Sequence, residues 1–271
     1  MNPATHYEHS GKAPLGGILM TLIGGTIAGI VLGAIYGFLI YWSPFVYINA
    51  FITLGFGFGL AVIVGGLGKV GKIRNSGTLT LVALVVAAVA YYVHWSVWVG
   101  RMTETQIVDP GQLWAFVSTV NALGPWSIFG WTPTGFALWA IWGIEAIVIV
   151  GIGTVSAHGV IDVPFCEDTG QWATETTLPG HFAPVDTPNV SSPSSLLQVL
   201  QPNNDSPDAY TEVSVATADG SELRCVSLNM VTVEKDKDGK EETEKQTIVK
   251  NMIFDRDSFE RLMQIGQPSV A

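Results

Sequence analysis

One carboxylate, Glu145, lies inside a long apolar run of this chain and is the clearest candidate for chemistry. An ionised side chain at the centre of a bilayer costs about 3 kcal/mol on insertion scales, so such residues usually face a bundle interior or water. Glu145 is therefore a candidate site for a proton or a cation. The alternative is a structural role, in which Glu145 joins helices through hydrogen bonds to Thr, Tyr or Trp side chains.

Two further polar residues, His94 and Asn49, also occupy apolar runs. Helical rise places His94 several ångströms closer to the outer surface than Glu145, so a direct pair between them requires helix tilt. We therefore expect His94 to lie at the interface, satisfied by water or backbone. Asn49, with Thr53 one turn later, can add hydrogen bonds to the interior that holds Glu145.

Known catalytic and cofactor motifs do not fit this sequence. Residues 66–72 imitate a phosphate-binding loop, but Ile73 replaces the magnesium-binding Ser or Thr and a membrane run, not a strand, comes before. Cys166 and Cys225 lack the close spacing of a C-x-x-C zinc pair. We therefore predict no catalytic, metal-binding or cofactor-binding residues, no cofactor and no enzymatic activity.

Four apolar runs are long enough to cross a membrane as helices. Only 13% of the 271 residues are charged, about half the share in a soluble domain. About 20 apolar residues span the hydrocarbon core. The sequence predicts a membrane α-helical fold in which a tail over residues 1–14 precedes a four-span domain over residues 15–158, with spans at residues 15–41, 45–67, 79–99 and 136–155.

Basic residues in a short connection predict the orientation of the spans. Lys69, Lys72 and Arg74 lie between the second and third spans and favour the cytoplasmic side. Four spans then place both termini in the cytoplasm, and most tryptophans near the outer interface, where indole rings are enriched. We expect a plasma membrane, the inner membrane of a bacterium.

The outer segment between the third and fourth spans contains a helix signal. Asp109 is a suitable N-cap and Pro110 suits the first turn, whereas Gly124 and Pro125 end the pattern. This spacing predicts a short helix that lies in the outer interface. The alternative is a loop that packs on the spans as a lid.

Four glycines recur every fourth residue in the first span, Gly25, Gly29, Gly33 and Gly37. They give the helix one face almost without side chains, and such faces allow close helix packing in lipid. Two interpretations are open. The face packs against another span of the same chain, or it forms a lateral interface with a second copy or another membrane subunit.

The last part of the chain is polar and acidic, with 19 acidic and 8 basic residues over residues 159–271. Recurrent prolines predict a linker over residues 159–209. Alternating residues then predict a small β-rich (α+β) cytoplasmic domain over residues 210–271, a meander with turns at Asp219-Gly220 and Asp238-Gly239. Asp257 or Ser258 is expected to cap a final helix. About 60 residues bury only a marginal core, so we expect this domain to lean on other structure.

A scaffold or accessory subunit is the function that these observations favour. Its expected partners are the lipid bilayer, a second copy or another membrane subunit, and a cytoplasmic protein that meets the acidic domain. Nucleic acid is not expected, because the net charge is −10 and phosphate binding needs clustered basic residues. The alternative is a small channel or transporter subunit with Glu145 in the permeation or proton path and Asn49 nearby.

Overall fold

The computed structural model describes residues 6–43, 45–185, 190–203, 208–235 and 241–266. The chain divides into two compact units. A helical unit comprises Ser10–Asp162, and a sheet unit combines Met1–His9 with Val163–Ala271. The sheet unit therefore includes residues from both ends of the chain.

The helical unit contains five helices, α1 Leu15–Trp42, α2 Val46–Val70, α3 Ser76–Thr103, α4 Pro110–Leu123 and α5 Gly135–Val160. By length and composition, α1, α2, α3 and α5 are able to cross a membrane, which confirms the four long apolar helices predicted from the sequence. The third helix is longer than its apolar run. Asn75 caps it by accepting a hydrogen bond from the Thr78 backbone N–H at 2.8 Å.

The glycine face of α1 packs against α3 within the chain. A Cβ added at Gly33 would overlap the carbonyl oxygen of Ala90, and one added at Gly37 would lie 2.8 Å from the carbonyl oxygen of His94. Gly25 and Gly29 face the Val86 side chain, whose methyl groups would lie 3.1 Å and 3.2 Å from an added Cβ. The absence of side chains thus allows two backbones to touch, and α3 occupies the face that the sequence also offered to a second copy.

Close packing also joins α2 to α5. A Cβ added at Gly57 would lie 3.2 Å from the Cβ of Ile152 and 3.5 Å from the Cα of Ile149. The two helices therefore meet backbone to side chain at this level. The space between α2 and α5 is therefore closed one turn beyond Thr53 along α2.

The short helix α4 forms where the sequence predicts it. Asp109 caps it by accepting from the Gln112 backbone N–H at 2.8 Å, and Pro110 occupies the first turn. Its apolar side is not free, because Leu113, Val117 and Val120 are buried in a cluster with side chains of α3 and α5. We call the end of the bundle that carries α4 and the α1–α2 connection the α4 end.

The sheet unit is built on one antiparallel sheet. Its strand order is β3-β4-β5-β6, and the ladder of β1 with β2 forms a separate pair. The strands are β1 Phe165–Cys166, β2 Gln171–Trp172, β3 Thr174–Thr177, β4 Ala209–Thr217, β5 Arg224–Lys235 and β6 Glu241–Ile253, and the helices are α6 Pro193–Val199 and α7 Arg256–Ile265. The predicted turn at Asp219-Gly220 joins β4 to β5, and Gly220 has φ of +69°. The predicted turn at Asp238-Gly239 lies outside the described residues.

The cap of the final helix differs from the prediction. Asp255, and not Asp257 or Ser258, is the N-cap of α7, and its carboxylate accepts from the Ser258 backbone N–H at 2.9 Å. The reason is the earlier end of the strand, since β6 stops at Ile253 and leaves Asp255 extended. Ser258 contributes from inside the helix by donating its hydroxyl to Asp255 at 2.7 Å.

Of residues 159–209, expected to form a linker, those from Val163 onward belong to the sheet unit. Residues 174–177 pair with β4. Phe182 is 2% exposed and Leu196 is fully buried in the core of this unit. Prolines remove backbone donors and prevent long strands, but they do not prevent the apolar side chains between them from being buried. The sheet unit thereby gains the core area that residues 210–266 alone lack.

The segment before α1 also joins the sheet unit. His6 forms a β-bridge with Met252, and the Tyr7 backbone N–H donates to the Asn251 carbonyl at 2.8 Å. The Tyr7 hydroxyl donates to the Phe165 carbonyl at 3.0 Å. Two stretches about 160 residues apart in the sequence, residues 6–9 and the start of the C-terminal region, therefore share one folded unit.

Candidate functional site

The polar residues of the spans meet at a cavity of about 690 Å³ at the α4 end of the bundle. We call it the bundle cavity. Glu145 from α5, Asn49 and Thr53 from α2, and His94 from α3 all line it. The three candidates predicted from the sequence thus share one space, although each comes from a different helix.

Tyr36 connects these side chains. Its hydroxyl lies 2.8 Å from Glu145 Oε1 and 2.8 Å from Thr53 Oγ1. Thr53 in turn donates to the Asn49 carbonyl at 2.8 Å. Among the described residues, Tyr36 is the one hydrogen-bond partner of Glu145. The expected structural role of Glu145 therefore has a specific form, a bridge from α5 to α1 and α2 through a tyrosine.

Proton counting distinguishes the two states of this chain of contacts. Each hydroxyl carries one proton, so Tyr36 and Thr53 supply two protons for three contacts when Glu145 is ionised. A proton on Glu145 supplies the third: Glu145 then donates to Tyr36, Tyr36 to Thr53, and Thr53 to the Asn49 carbonyl. The arrangement is fully hydrogen-bonded when Glu145 is a neutral acid, and it leaves one contact without a proton when Glu145 is a carboxylate.

His94 lies beside this chain and is not hydrogen-bonded to Glu145. Its ring centroid is 4.6 Å from that of Tyr36 and 5.1 Å from that of Trp95. The side chain is 3% exposed, and its Nδ1 is buried with no hydrogen-bond partner among the described residues. His94 was expected to be satisfied by water or backbone, and the burial of its side chain shows that contact with water is wrong. The close approach of α1 at Gly37 encloses this turn of α3.

Aromatic side chains form the wall of the cavity nearest α4. Trp95 and Trp142 are perpendicular, with centroids 4.9 Å apart, and Trp98 stands perpendicular to Trp95 at 5.6 Å. All three line the bundle cavity. Edge-to-face pairs of this kind hold ring orientation. Tryptophans that the sequence analysis placed near the outer interface therefore also form an apolar wall of the cavity that Glu145 lines.

The cavity is closed at the end that lies away from α4, and it is open at its side between α2 and α5. Below Thr53, the contact of Gly57 with Ile149 and Ile152 brings α2 and α5 together. At the side, Leu54 and Ile144 line the cavity and are nevertheless 40% and 61% exposed. The described cavity is therefore a pocket with an apolar mouth between α2 and α5.

Other motifs in the sequence do not assemble into a site. Residues 66–70 belong to α2, and the chain at Gly71 packs directly on Gly17, which leaves no loop to cradle a phosphate. Cys166 and Cys225 are free and buried. Within the described residues, no group of three His, Cys, Asp or Glu side chains is placed to hold a metal ion.

Tyr36 is the site residue that sequence reasoning missed. A signal was present, because Tyr36 stands beside Gly37 on the packed face of α1 and its hydroxyl needs a partner in an apolar environment. The rotation of each helix about its own axis decides which partner the Tyr36 hydroxyl meets, and a uniformly apolar sequence does not indicate that rotation.

Four helices long and apolar enough to cross a membrane, with a polar pocket between them, fit a multi-pass membrane protein. Comparisons with family models, curated proteins and solved structures found no match.

Proposed function

We propose that this chain is a non-enzymatic accessory protein of a plasma membrane whose four-span domain binds a small molecule. The observation that carries the proposal is the bundle cavity. Its volume of about 690 Å³ lies within the range of roughly 300–1,000 Å³ for small-molecule pockets. A few polar groups facing an aromatic wall are also the usual composition of such pockets.

The sheet unit is proposed to lie in the cytoplasm as an interaction domain. Tyr7, before α1, and Phe165, after α5, share a hydrogen bond. One folded unit lies on one side of a membrane, so this pairing supports an even number of crossings. Lys69 and Lys72 at the other short connection support the cytoplasmic side. The acidic character of residues 159–271 would keep the unit away from an anionic lipid surface and available to a protein partner.

Cysteine labelling tests this topology. In a background with Cys166→Ser and Cys225→Ser, a cysteine placed at Thr103 should react with an impermeant maleimide added to intact cells. A cysteine placed at Ser76 should react only after the membrane is opened. Labelling of Ser76→Cys from outside would overturn the orientation.

Filling the cavity tests ligand binding. Ala50 lines the cavity on α2, and Val62 on the same helix is 67% exposed and lies outside the cavity lining. Ala50→Trp should remove a small molecule that co-purifies with the wild type, or abolish stabilisation by hits from a thermal-shift screen. Val62→Trp should change neither. A wild-type protein that carries nothing and responds to no compound would contradict the proposal.

A small transporter subunit is the second candidate, because Glu145 lies on a cavity wall at mid-span. The closed contact at Gly57 argues against an open pore through the described structure. Reconstituted vesicles decide between the two. Proton uptake that is present in the wild type and lost in Glu145→Gln would favour transport over static binding.

A further inference from the structure

We propose, on the basis of the binding function above, that the ligand of the bundle cavity is a lipophilic primary amine. It is proposed to enter through the side opening with its nitrogen at Glu145 and its apolar part between α2 and α5. The inference combines four features of the cavity: its charge, its unpaired acceptors, its wall and its mouth.

The charge of the lining selects the sign of the ligand. Glu145 is the acidic residue that lines the cavity, and the described lining contains no Lys or Arg. An anionic ligand would thus be buried beside a carboxyl group without a counter-charge, which is strongly unfavourable. A cation or a neutral base has a partner in Glu145.

Unpaired acceptors select a ligand with several N–H donors. Asn49 Oδ1, an acceptor, is buried without a hydrogen-bond partner among the described residues. Nδ1 of His94 is likewise buried without a partner there, and it is an acceptor when the ring proton is on Nε2. Both residues line the cavity, and His94 is 3% exposed. A buried acceptor left unpaired is costly. A primary ammonium has three N–H groups, enough for Glu145 and for a second acceptor.

The wall and the mouth select the rest of the molecule. Trp95, Trp98 and Trp142 offer aromatic surface, which attracts organic cations as well as apolar groups. The exposed Leu54 and Ile144 at the mouth provide an apolar edge that suits an alkyl or aromatic tail. A small hydrophilic amine would leave this edge uncovered.

The proton balance lets such a ligand enter without moving net charge. A neutral amine takes the proton of Glu145: the carboxyl O–H bond breaks, an N–H bond forms, and an ammonium–carboxylate pair results. Tyr36 then donates to the carboxylate, as its 2.8 Å contact with Oε1 allows. The ammonium donates an N–H to the same carboxylate, as a hydrogen bond additional to that from Tyr36.

Three probes with the same tail test the chemistry: dodecylamine, dodecanol and dodecanoate. Native mass spectrometry of the full-length protein, released from detergent micelles, counts bound probe per chain. We expect one dodecylamine per chain, and binding of dodecanol and dodecanoate weaker by about tenfold or more, as the loss of a charged hydrogen bond implies. Equal binding of all three would overturn the amine assignment.

Variants separate this inference from the proposed function. Glu145→Gln keeps an oxygen for Tyr36 and should weaken dodecylamine binding about tenfold or more without affecting dodecanol. Asn49→Leu, which leaves Glu145 in place, should weaken dodecylamine binding less. Unchanged binding of dodecylamine to Glu145→Gln would contradict the amine inference. Loss of the ligand in Ala50→Trp alone would still support a binding pocket.

The amine has two possible sources, a free amine or a lipid headgroup, and the same assay separates them. Micelles that contain phosphatidylethanolamine are compared with micelles that contain phosphatidylcholine. Glu145-dependent retention of phosphatidylethanolamine would identify a lipid amine. Retention of dodecylamine in the presence of either lipid would identify a free amine. Equal, Glu145-independent retention of both lipids without dodecylamine binding would contradict the proposal.

Discussion

Replacing Gly33 with alanine tests the contact that holds α1 on α3. The new methyl group would overlap the Ala90 carbonyl oxygen and lie 3.0 Å from its carbonyl carbon. Ordinary carbon contacts are about 3.5–4.0 Å and the overlap with the oxygen is tighter than that with the carbon, so the helices must separate by about 1 Å or more. Because backbone and not a flexible side chain blocks the methyl, we take the upper end of the overpacking cost, about 3 kcal/mol.

The helix itself gains from the same change, since alanine is better than glycine in a helix by about 1 kcal/mol. The net expectation is a loss of about 2 kcal/mol in unfolding free energy. Gly55 on α2 is the matched control, because a Cβ there meets nothing within 4 Å. Gly55→Ala should be neutral or stabilising by up to about 1 kcal/mol.

The assay is unfolding in mixed micelles with a rising fraction of dodecyl sulfate, followed by circular dichroism. Size-exclusion chromatography of the folded fraction accompanies it. Gly33→Ala should lower the midpoint and leave the assembly size unchanged, because α3 covers this face within the chain. A variant as stable as Gly55→Ala would refute the packing argument. Dissociation of an oligomer without loss of helix stability would instead favour a lateral interface.

Three further predictions concern the sheet unit. Phe182→Ala should cost about 3–5 kcal/mol in thermal unfolding, whereas a residue of an exposed linker would cost almost nothing. Asp255→Ala should cost about 1 kcal/mol through loss of the α7 cap. The hydrogen bonds from Ser258 lower the pKa of Asp255. The stability that the cap contributes is therefore present above the ordinary carboxyl pKa of about 3.9, and it is lost as the pH falls through the lowered pKa of the folded state. In a pH series of melting curves, Asp255→Ala should accordingly lose less stability in acid than the wild type does. Burial raises the pKa of Cys225 to about 12, so in a Cys166→Ser background iodoacetamide at a mildly alkaline pH should modify Cys225 only after denaturation, and rapid native labelling would contradict its burial.

The helices were predictable because apolar runs of this length have few alternatives in a chain with so few charges. Their ends were less predictable. The apolar run of α3 begins near Leu79, but Asn75 starts the helix one turn earlier by capping it. Capping depends on one side chain, and periodicity does not reveal it. The glycine face was visible in the sequence, but its partner, α3 and not a second copy, required the packed structure.

The site was predictable in its members and not in its connections. Glu145, His94 and Asn49 stand out because they are polar in apolar runs. That they share one cavity depends on the rotation of three helices, which nearly uniform hydrophobicity leaves open. The sheet unit shows the same limit. Single contacts such as that of Tyr7 with Phe165 join distant stretches and produce no local pattern.

Tyr36 takes part both in the packing of the helices and in the hydrogen bonds of Glu145. The ring of Tyr36 is 1% exposed and stacks on Phe56 at 4.4 Å, so it belongs to the packing of α1 against α2. Its hydroxyl belongs to the polar chain that ends at Glu145. A ligand that brings its own donor can change which group donates to Glu145 while the ring stays stacked. Under the proposed binding function, occupation of the bundle cavity therefore requires a rearrangement of protons and not a separation of helices, so a residue that holds the bundle together is also suited to a binding site.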